Sequence, residues 1–133
     1  MKRLKTLALT LVSAALLGFA NQVWAETQLV MVDQVGCVYC ERWDAEIGPA
    51  YPKIAEGQFA PLLRANIREG APKGVTYARR VVFTPTFVLT EDGQELARLE
   101  GYPGEDFFWP LLGKMLKDHT GFADIAAPAT QTN

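Results

Sequence analysis

The two cysteines of the chain, Cys37 and Cys40, lie three positions apart between a predicted strand and a predicted helix. The strand is the apolar, partly β-branched run 29–32, and Gly36 marks the turn that follows it. From Val38 onward the apolar residues recur at helical spacing, so Cys37 lies at or just before the helix N-terminus. Cys40 falls in the first turn. The pattern therefore predicts a strand–turn–helix unit that presents two thiols at the start of a helix.

Strands and helices alternate along the rest of the chain. Gly48-Pro49 and Pro52 must kink or end the first helix, because an interior proline loses a hydrogen bond and clashes with the preceding turn. Pro85 interrupts the strand-rich run 81–89, so a strand is expected to begin after it. The later elements are predicted as a strand at 61–67, a short helix through Tyr77, a strand at 86–90, a hairpin turn at 91–94, a strand at 95–100, a turn at 101–104 and an amphipathic helix from about Asp106. This order predicts a small α/β sandwich.

The first 25 residues have the pattern of an export signal. Three basic residues precede an apolar, uncharged stretch at 6–20, and Val23-Trp24-Ala25 forms a plausible cleavage site. A retained anchor is the weaker alternative, because the apolar run is shorter than the roughly 20 residues that span a bilayer. We expect a cleavable signal peptide at 1–25, a folded domain at 26–122 and a flexible tail rich in Ala, Thr and Pro at 123–133. The expected location is periplasmic, where disulfides persist.

Composition excludes some classes of function. Removal of residues 1–25 lowers Lys+Arg from 13 to 10 against 15 Asp+Glu, so the net charge of the mature chain is −5. An acidic chain lacks the basic surface that meets nucleic acid phosphates, so no nucleic acid partner is expected. The roughly 108 remaining residues suffice for one domain with one core. No glycine-rich nucleotide loop occurs, and we expect no cofactor.

The cysteine pair has three interpretations. A helix N-terminus favours a thiolate at Cys37, and the thiolate is the species that attacks disulfides. Cys40 is then placed to attack the mixed disulfide and release the partner. A purely structural disulfide is the second interpretation, but a ring this small stabilises a fold by only about 2 kcal/mol. The third is a copper(I) carrier, since soft metals favour two thiolates. Structural zinc needs four ligands, and the only histidine is His119, so no metal site is assigned.

These features together resemble the thioredoxin superfamily. The strand, Cys-x-x-Cys at a helix start, Thr84-Pro85 opening a later strand and Gly101 after the next strand follow that pattern over about residues 27–121. The resemblance implies a three-layer sandwich with a central mixed sheet of about four strands flanked by helices. It also implies that the Thr84–Pro85 bond is cis beside the cysteines. Cys37 would be the nucleophile and Cys40 the resolving thiol of a thiol–disulfide oxidoreductase.

The segments 43–47, 83–89 and 100–109 are more closely similar to the SoxS type of periplasmic thioredoxin. That resemblance implies a monomeric reductant of a protein disulfide or of a Cys-bound sulfur adduct on a sulfur-carrier protein of a sulfur-oxidation system. A membrane thiol-shuttling protein would supply the electrons. The implied substrate-binding residues are those between the cysteines, before and at the proline, and in the turn after the hairpin: Val38, Tyr39, Thr84, Pro85, Gly101 and Tyr102.

Two departures from the thioredoxin pattern bear on specificity and proton transfer. Val38-Tyr39 stands between the cysteines where thioredoxin has Gly-Pro, and a tyrosine before the second cysteine is more typical of glutaredoxins and periplasmic isomerases or reductases. The buried aspartate of thioredoxin has no clear equivalent. Asp33 and Glu41 are the nearest carboxylates that could exchange a proton with Cys40. The direction of electron flow does not follow from the residues, because it depends on how far folding stabilises the thiolate.

Overall fold

A four-stranded mixed sheet forms the centre of the molecule. The computed structural model describes residues 25–123, so all but the last residue of the predicted signal peptide and nearly all of the predicted tail lie outside the described residues. The elements in chain order are β1 (Thr27–Asp33), α1 (Val38–Glu46), a 3₁₀ turn (Tyr51–Lys53), α2 (Ala55–Phe59), β2 (Leu62–Asn66), β3 (Thr86–Glu91), β4 (Gln94–Glu100) and α3 (Glu105–His119). The strand order is β2-β1-β3-β4. The predicted α/β class with a mixed sheet of four strands and flanking helices is confirmed.

Strand directions follow from the connections. β1 pairs in parallel with β2, and the connection between them contains α1 and α2. β1 pairs antiparallel with β3, and β3 pairs antiparallel with β4 through the predicted hairpin. The two central strands, β1 and β3, are buried on both faces, which explains why each is a nearly continuous apolar run in the sequence.

The two faces of the sheet are covered differently. One face packs against the helices in a cluster that includes Trp43 of α1, Phe87 of β3 and Phe108 of α3, all fully buried. The other face carries smaller residues, among them Val30, Val88 and Val81. Leu63 of β2 and three residues of the segment 67–85, Ile67, Val75 and Tyr77, pack against this second cluster. The segment 67–85 contains no helix or strand.

The predicted short helix through Tyr77 is wrong. The segment instead pairs with the hairpin at Thr76, which forms an isolated parallel bridge with Gln94. The Thr76 N–H donates to the Gly93 carbonyl at 2.8 Å, and the Glu95 N–H donates to the Thr76 carbonyl at 3.1 Å. Tertiary pairing with the hairpin thus satisfies backbone groups that a helix would have satisfied locally.

Helix α2 was not expected from the sequence, whereas the other helices were. α1 ends at Glu46, just before the Gly48-Pro49 pair that was expected to stop it. α3 begins at Glu105, so Pro110 lies inside its second turn. Within residues 25–123, no helix is both long and apolar enough to cross a membrane.

Candidate active site

Cys37 caps the N-terminus of α1. The helix begins at Val38, the Cys37 backbone is extended, and the Cys37 sulfur accepts a hydrogen bond from the Cys40 N–H at 3.2 Å. Cys37 and Cys40 form a disulfide with their Cα atoms 5.2 Å apart. The first cysteine therefore lies where unpaired helix N–H groups and the helix dipole favour negative charge on sulfur.

The disulfide lies below an exposed apolar rim. Cys37 and Cys40 are only 8% and 4% exposed, whereas Val38 and Tyr39 between them are 70% and 58% exposed. Val35, in the turn that leads from β1 to Cys37, is almost fully exposed. Three exposed apolar side chains thus flank, in the sequence, a cysteine pair that is itself nearly buried.

Thr84 and Pro85 are tied to the turn that carries the cysteines. The Thr84–Pro85 peptide bond is cis. The Gln34 side chain, three residues before Cys37, donates its Nε2–H to Thr84 Oγ1 at 3.1 Å. The Gly101 N–H donates to the Pro85 carbonyl at 2.8 Å. Thr84, Pro85 and Gly101, all predicted site residues, thus form one hydrogen-bonded group that is linked to the turn preceding Cys37.

Tyr102 lies inside the molecule rather than on an open groove. Its side chain is 6% exposed and packs edge-to-face on Phe108. Its hydroxyl donates to Glu46 Oε2 at 2.5 Å, and Arg42 Nε donates to Glu46 Oε1 at 2.7 Å. The Arg42 guanidinium also lies 5.8 Å from the centre of the Tyr102 ring. Tyr102 therefore fixes the 101–104 turn to α1, the helix that carries the cysteines.

The ionisation of Glu46 and that of Tyr102 depend on one another. The hydrogen bond from Tyr102, and then that from Arg42, hold the pKa of the Glu46 carboxyl below its usual range. Burial, and then the bond to Glu46, raise the pKa of Tyr102. Glu46 is thus a carboxylate at neutral pH and Tyr102 a neutral donor. Neither Arg42 nor Glu46 was found from the sequence, where they appear only as polar residues between the apolar positions of a helix.

The two carboxylates considered as proton relays differ in their surroundings. Asp33 Oδ2 pairs with Arg64 Nη1 at 3.0 Å, and Arg64 also pairs with Asp44 of α1. The Arg64 guanidinium lies 5.9 Å from the centre of the Trp43 ring, one helical turn beyond Cys40. Glu41 is exposed on the outer side of α1. Asp33 is therefore engaged in an ion pair, whereas Glu41 faces solvent.

The described residues contain no group of three or more His, Cys, Asp and Glu side chains that could hold a metal ion. His119, the only histidine, lies at the last position of α3.

Comparisons with known proteins agree with this geometry. A family model described as a thioredoxin-like domain matches residues 23–116, so the chain belongs to the thioredoxin-like family. With its Cys37-x-x-Cys40 pair at disulfide distance, it is a thiol–disulfide oxidoreductase.

Within that family the chain is a SoxS-like protein. A crystal structure of the periplasmic thioredoxin SoxS from Paracoccus pantotrophus, in its reduced form, is 54% identical to it. The alignment covers 69% of this chain and 97% of that one, with a TM-score of 0.67. No curated protein compared with the chain matches it.

Proposed function

We propose that this protein is an exported, periplasmic reductant that acts on a disulfide or a Cys-bound sulfur adduct of a partner protein. The observation that carries the proposal is the position of Cys37. Its sulfur caps a nine-residue helix and accepts the Cys40 N–H, next to the turn that Gln34 ties to Thr84. In the reduced protein the same N–H and the helix dipole stabilise a Cys37 thiolate relative to the thiol.

The reaction proceeds by two thiol–disulfide exchanges. The Cys37 thiolate attacks one sulfur of the partner disulfide, and the other partner sulfur leaves with the electron pair of the broken S–S bond and takes up a proton. Cys40 loses its proton and attacks the Cys37 sulfur, which releases the second partner thiol. The partner gains two electrons and two protons, and the Cys37–Cys40 disulfide is the oxidised product.

An outside dithiol must then reduce the Cys37–Cys40 disulfide. We assign this role to a membrane thiol-shuttling protein, because the chain offers no glycine-rich loop for a nucleotide reductant. The periplasmic location is supported by the export-signal pattern of residues 1–25 and by the periplasmic relative. A sulfur-carrier protein as the substrate is supported by the similarity to SoxS.

Substrate contacts are assigned to the exposed residues around the disulfide. Val38 and Tyr39 lie on the rim, and we assign to the Thr84 backbone, next to the cis Pro85 bond, the pairing with an extended substrate segment. Gly101 supports Pro85 through its N–H, and Tyr102 supports the 101–104 turn from below. We assign Gly101 and Tyr102 to holding the groove rather than to contacting the substrate.

The decisive experiment replaces Cys40 with serine. Cys40→Ser should remain joined to its partner through Cys37 as a mixed disulfide that reductant cleaves, and the Cys37→Ser/Cys40→Ser variant, the matched control, should trap nothing. The wild-type dithiol should reduce protein disulfides, and Cys37 should titrate below the value of about 8.5 of an ordinary thiol. Absence of trapping together with an ordinary Cys37 titration contradicts the proposal. So does stoichiometric copper bound by a reduced protein that lacks reductase activity, since that result defines the copper(I) carrier.

A further inference from the structure

Strand β4 carries a buried ion pair that takes no part in the chemistry described above. Arg98 Nε lies 2.6 Å from Glu95 Oε1, and each side chain is only 6% exposed. Arg98 Nη2 also donates to Glu95 Oε2 at 2.7 Å, so the pair is bidentate. Burial of two charges costs free energy that their mutual attraction often only just offsets. The attraction between the two charges therefore does not by itself account for the pair.

A β-bulge brings the two charges to the same face of the sheet. Residues three apart on a regular strand point to opposite faces. Here Arg98 pairs with Val88 and Glu95 pairs with Thr90, whereas Leu96 has no partner in the register. Val88 and Thr90 are two apart on β3 and share a face, so their partners on β4 share it as well. The bulge therefore re-aims one side chain and creates the ion pair.

The pair holds three consecutive residues of the 67–85 segment by their backbone. The Ala78 N–H donates to Glu95 Oε2 at 2.7 Å. Arg98 Nη2 donates to the Arg79 carbonyl at 2.8 Å, and Nη1 to the Arg80 carbonyl at 3.5 Å. These bonds replace the backbone pairing that a segment without helix or strand cannot provide for itself.

The held residues lead directly to the substrate groove. Val81, the next residue, is buried in the second cluster, and Val82 and Phe83 after it are 60% and 58% exposed. Thr84 and Pro85 follow. Thr84 lies four positions after Arg80, a span of at most about 14 Å of chain. The far end is fixed by the bond from the Gly101 N–H to the Pro85 carbonyl.

We propose that Glu95 and Arg98 are positioning residues for thiol–disulfide exchange, because their ion pair fixes the 78–80 backbone and so sets where residues 82–84 meet a protein substrate. The inference rests on the proposed function, since it concerns how the same groove receives a protein disulfide. The pair touches neither cysteine in the structure, so it acts on substrate binding and not on the reactivity of sulfur. The rate at which a small disulfide is reduced should therefore not depend on the pair, because such a substrate does not bind along the groove.

The charge state of Glu95 is consistent with this role. Burial by itself raises the pKa of the Glu95 carboxyl, but the hydrogen bonds from Arg98 and from the Ala78 N–H outweigh it and leave the pKa below its usual range. The carboxylate therefore stays ionised at neutral pH and can keep accepting both donors.

The test separates positioning from stability. In the Glu95→Leu/Arg98→Leu variant, apolar side chains replace the pair, a change that is often neutral for stability. The melting temperature should fall only modestly, because the freed 78–80 backbone groups can bond to water. KM for a protein disulfide should rise roughly tenfold or more, as expected for a displaced groove. The rate with a small aromatic disulfide should not change. Arg79→Gln, which removes an exposed ion pair with Glu100 and no backbone bond to the pair, is the matched control and should behave as the wild type.

A second variant decides the question if the double variant does not fold. Arg98→Lys keeps a positive charge beside Glu95 but loses the planar fork that reaches the two carbonyls, so KM for the protein disulfide should again rise selectively. A folded variant with a wild-type KM for the protein disulfide overturns the inference, and so does an equal loss of activity on both substrates. A wild-type protein that reduces no protein disulfide contradicts the proposed function instead.

Discussion

Two segments meet at the disulfide, and they are held in different ways. Helix α1, which carries the cysteines, is anchored by Trp43, whose fully buried ring contacts Tyr51, Phe87 and Phe108. The 67–85 segment, which carries the proline, is anchored by hydrogen bonds to the hairpin and by the Glu95–Arg98 pair. One half of the site depends on apolar burial, whereas the other combines the burial of Val81 with directional polar contacts.

Because the two segments are held differently, substitutions that lower stability can be separated from those that change the geometry of the site. Apolar contacts of a helix are numerous and non-directional, so their loss lowers the free energy of unfolding of the whole domain. A few directional hydrogen bonds to a loop contribute less to the total but fix the loop in one place. Substitutions in the first cluster should therefore affect folding, and those around the loop should affect the groove.

The largest effect is expected at Trp43. Trp43→Ala removes the central aromatic side chain of the first cluster and should lower the free energy of unfolding by about 3–5 kcal/mol, measured by denaturant unfolding. Val38→Ala, on the exposed side of the same helix, is the control and should change it by less than about 0.5 kcal/mol. A small effect of Trp43→Ala would contradict the conclusion that α1 is held mainly by the burial of apolar side chains.

An intermediate effect is expected at Gly93, where the loop meets the hairpin. Gly93 has a φ of 78°, and a Cβ there would lie 1.9 Å from the Gly74 carbonyl oxygen. Gly93→Ala must displace this backbone and weaken the Thr76 bond, so we expect a loss of about 2 kcal/mol or more. Gly70→Ala has a similar φ of 76° but no atom within 4 Å, so it reports the backbone cost alone. Equal losses for the two variants would mean that close packing on the hairpin contributes nothing.

The smallest effects compare two tyrosines, one on each face. The Tyr51 hydroxyl donates to the Ala60 carbonyl at 2.7 Å, whereas the buried Tyr77 hydroxyl has no hydrogen-bond partner within residues 25–123. Tyr51→Phe should cost about 1–3 kcal/mol because a buried carbonyl loses its donor. Tyr77→Phe should be neutral or slightly stabilising, since it removes an unsatisfied polar group. The comparison fails if denaturant unfolding shows Tyr77→Phe to be as costly as Tyr51→Phe.

Much of the fold was predictable because its signals are local. The apolar runs of β1 and β3, the helical spacing after Cys37 and the turn at Asp92-Gly93 each depend on neighbouring residues. Cys37 was correctly placed at the helix start for the same reason. Pro85 marked the beginning of β3 because a proline cannot donate within a central strand.

The missed features depend on contacts between distant residues. Thr76 pairs with the hairpin and not with its own neighbours, so the helix predicted there does not form. The bond between Tyr102 and Glu46 joins residues 56 positions apart, and no local pattern indicates it. The register shift in β4 depends on how β3 pairs with it, and the apolar–polar alternation of 95–100 gave only a regular strand.

The unpaired Leu96 sets where β4 can change in length. Glu95 and Arg98 are three positions apart and share a face because the bulge at Leu96 takes up one residue. Deletion of Leu96 would leave them two positions apart on a regular strand, so they would still share that face. Insertion of one further residue between them, with the bulge kept, would send the two charges to opposite sides of the sheet. Strand β4 should therefore tolerate the loss of its bulge more readily than the gain of a residue beside it.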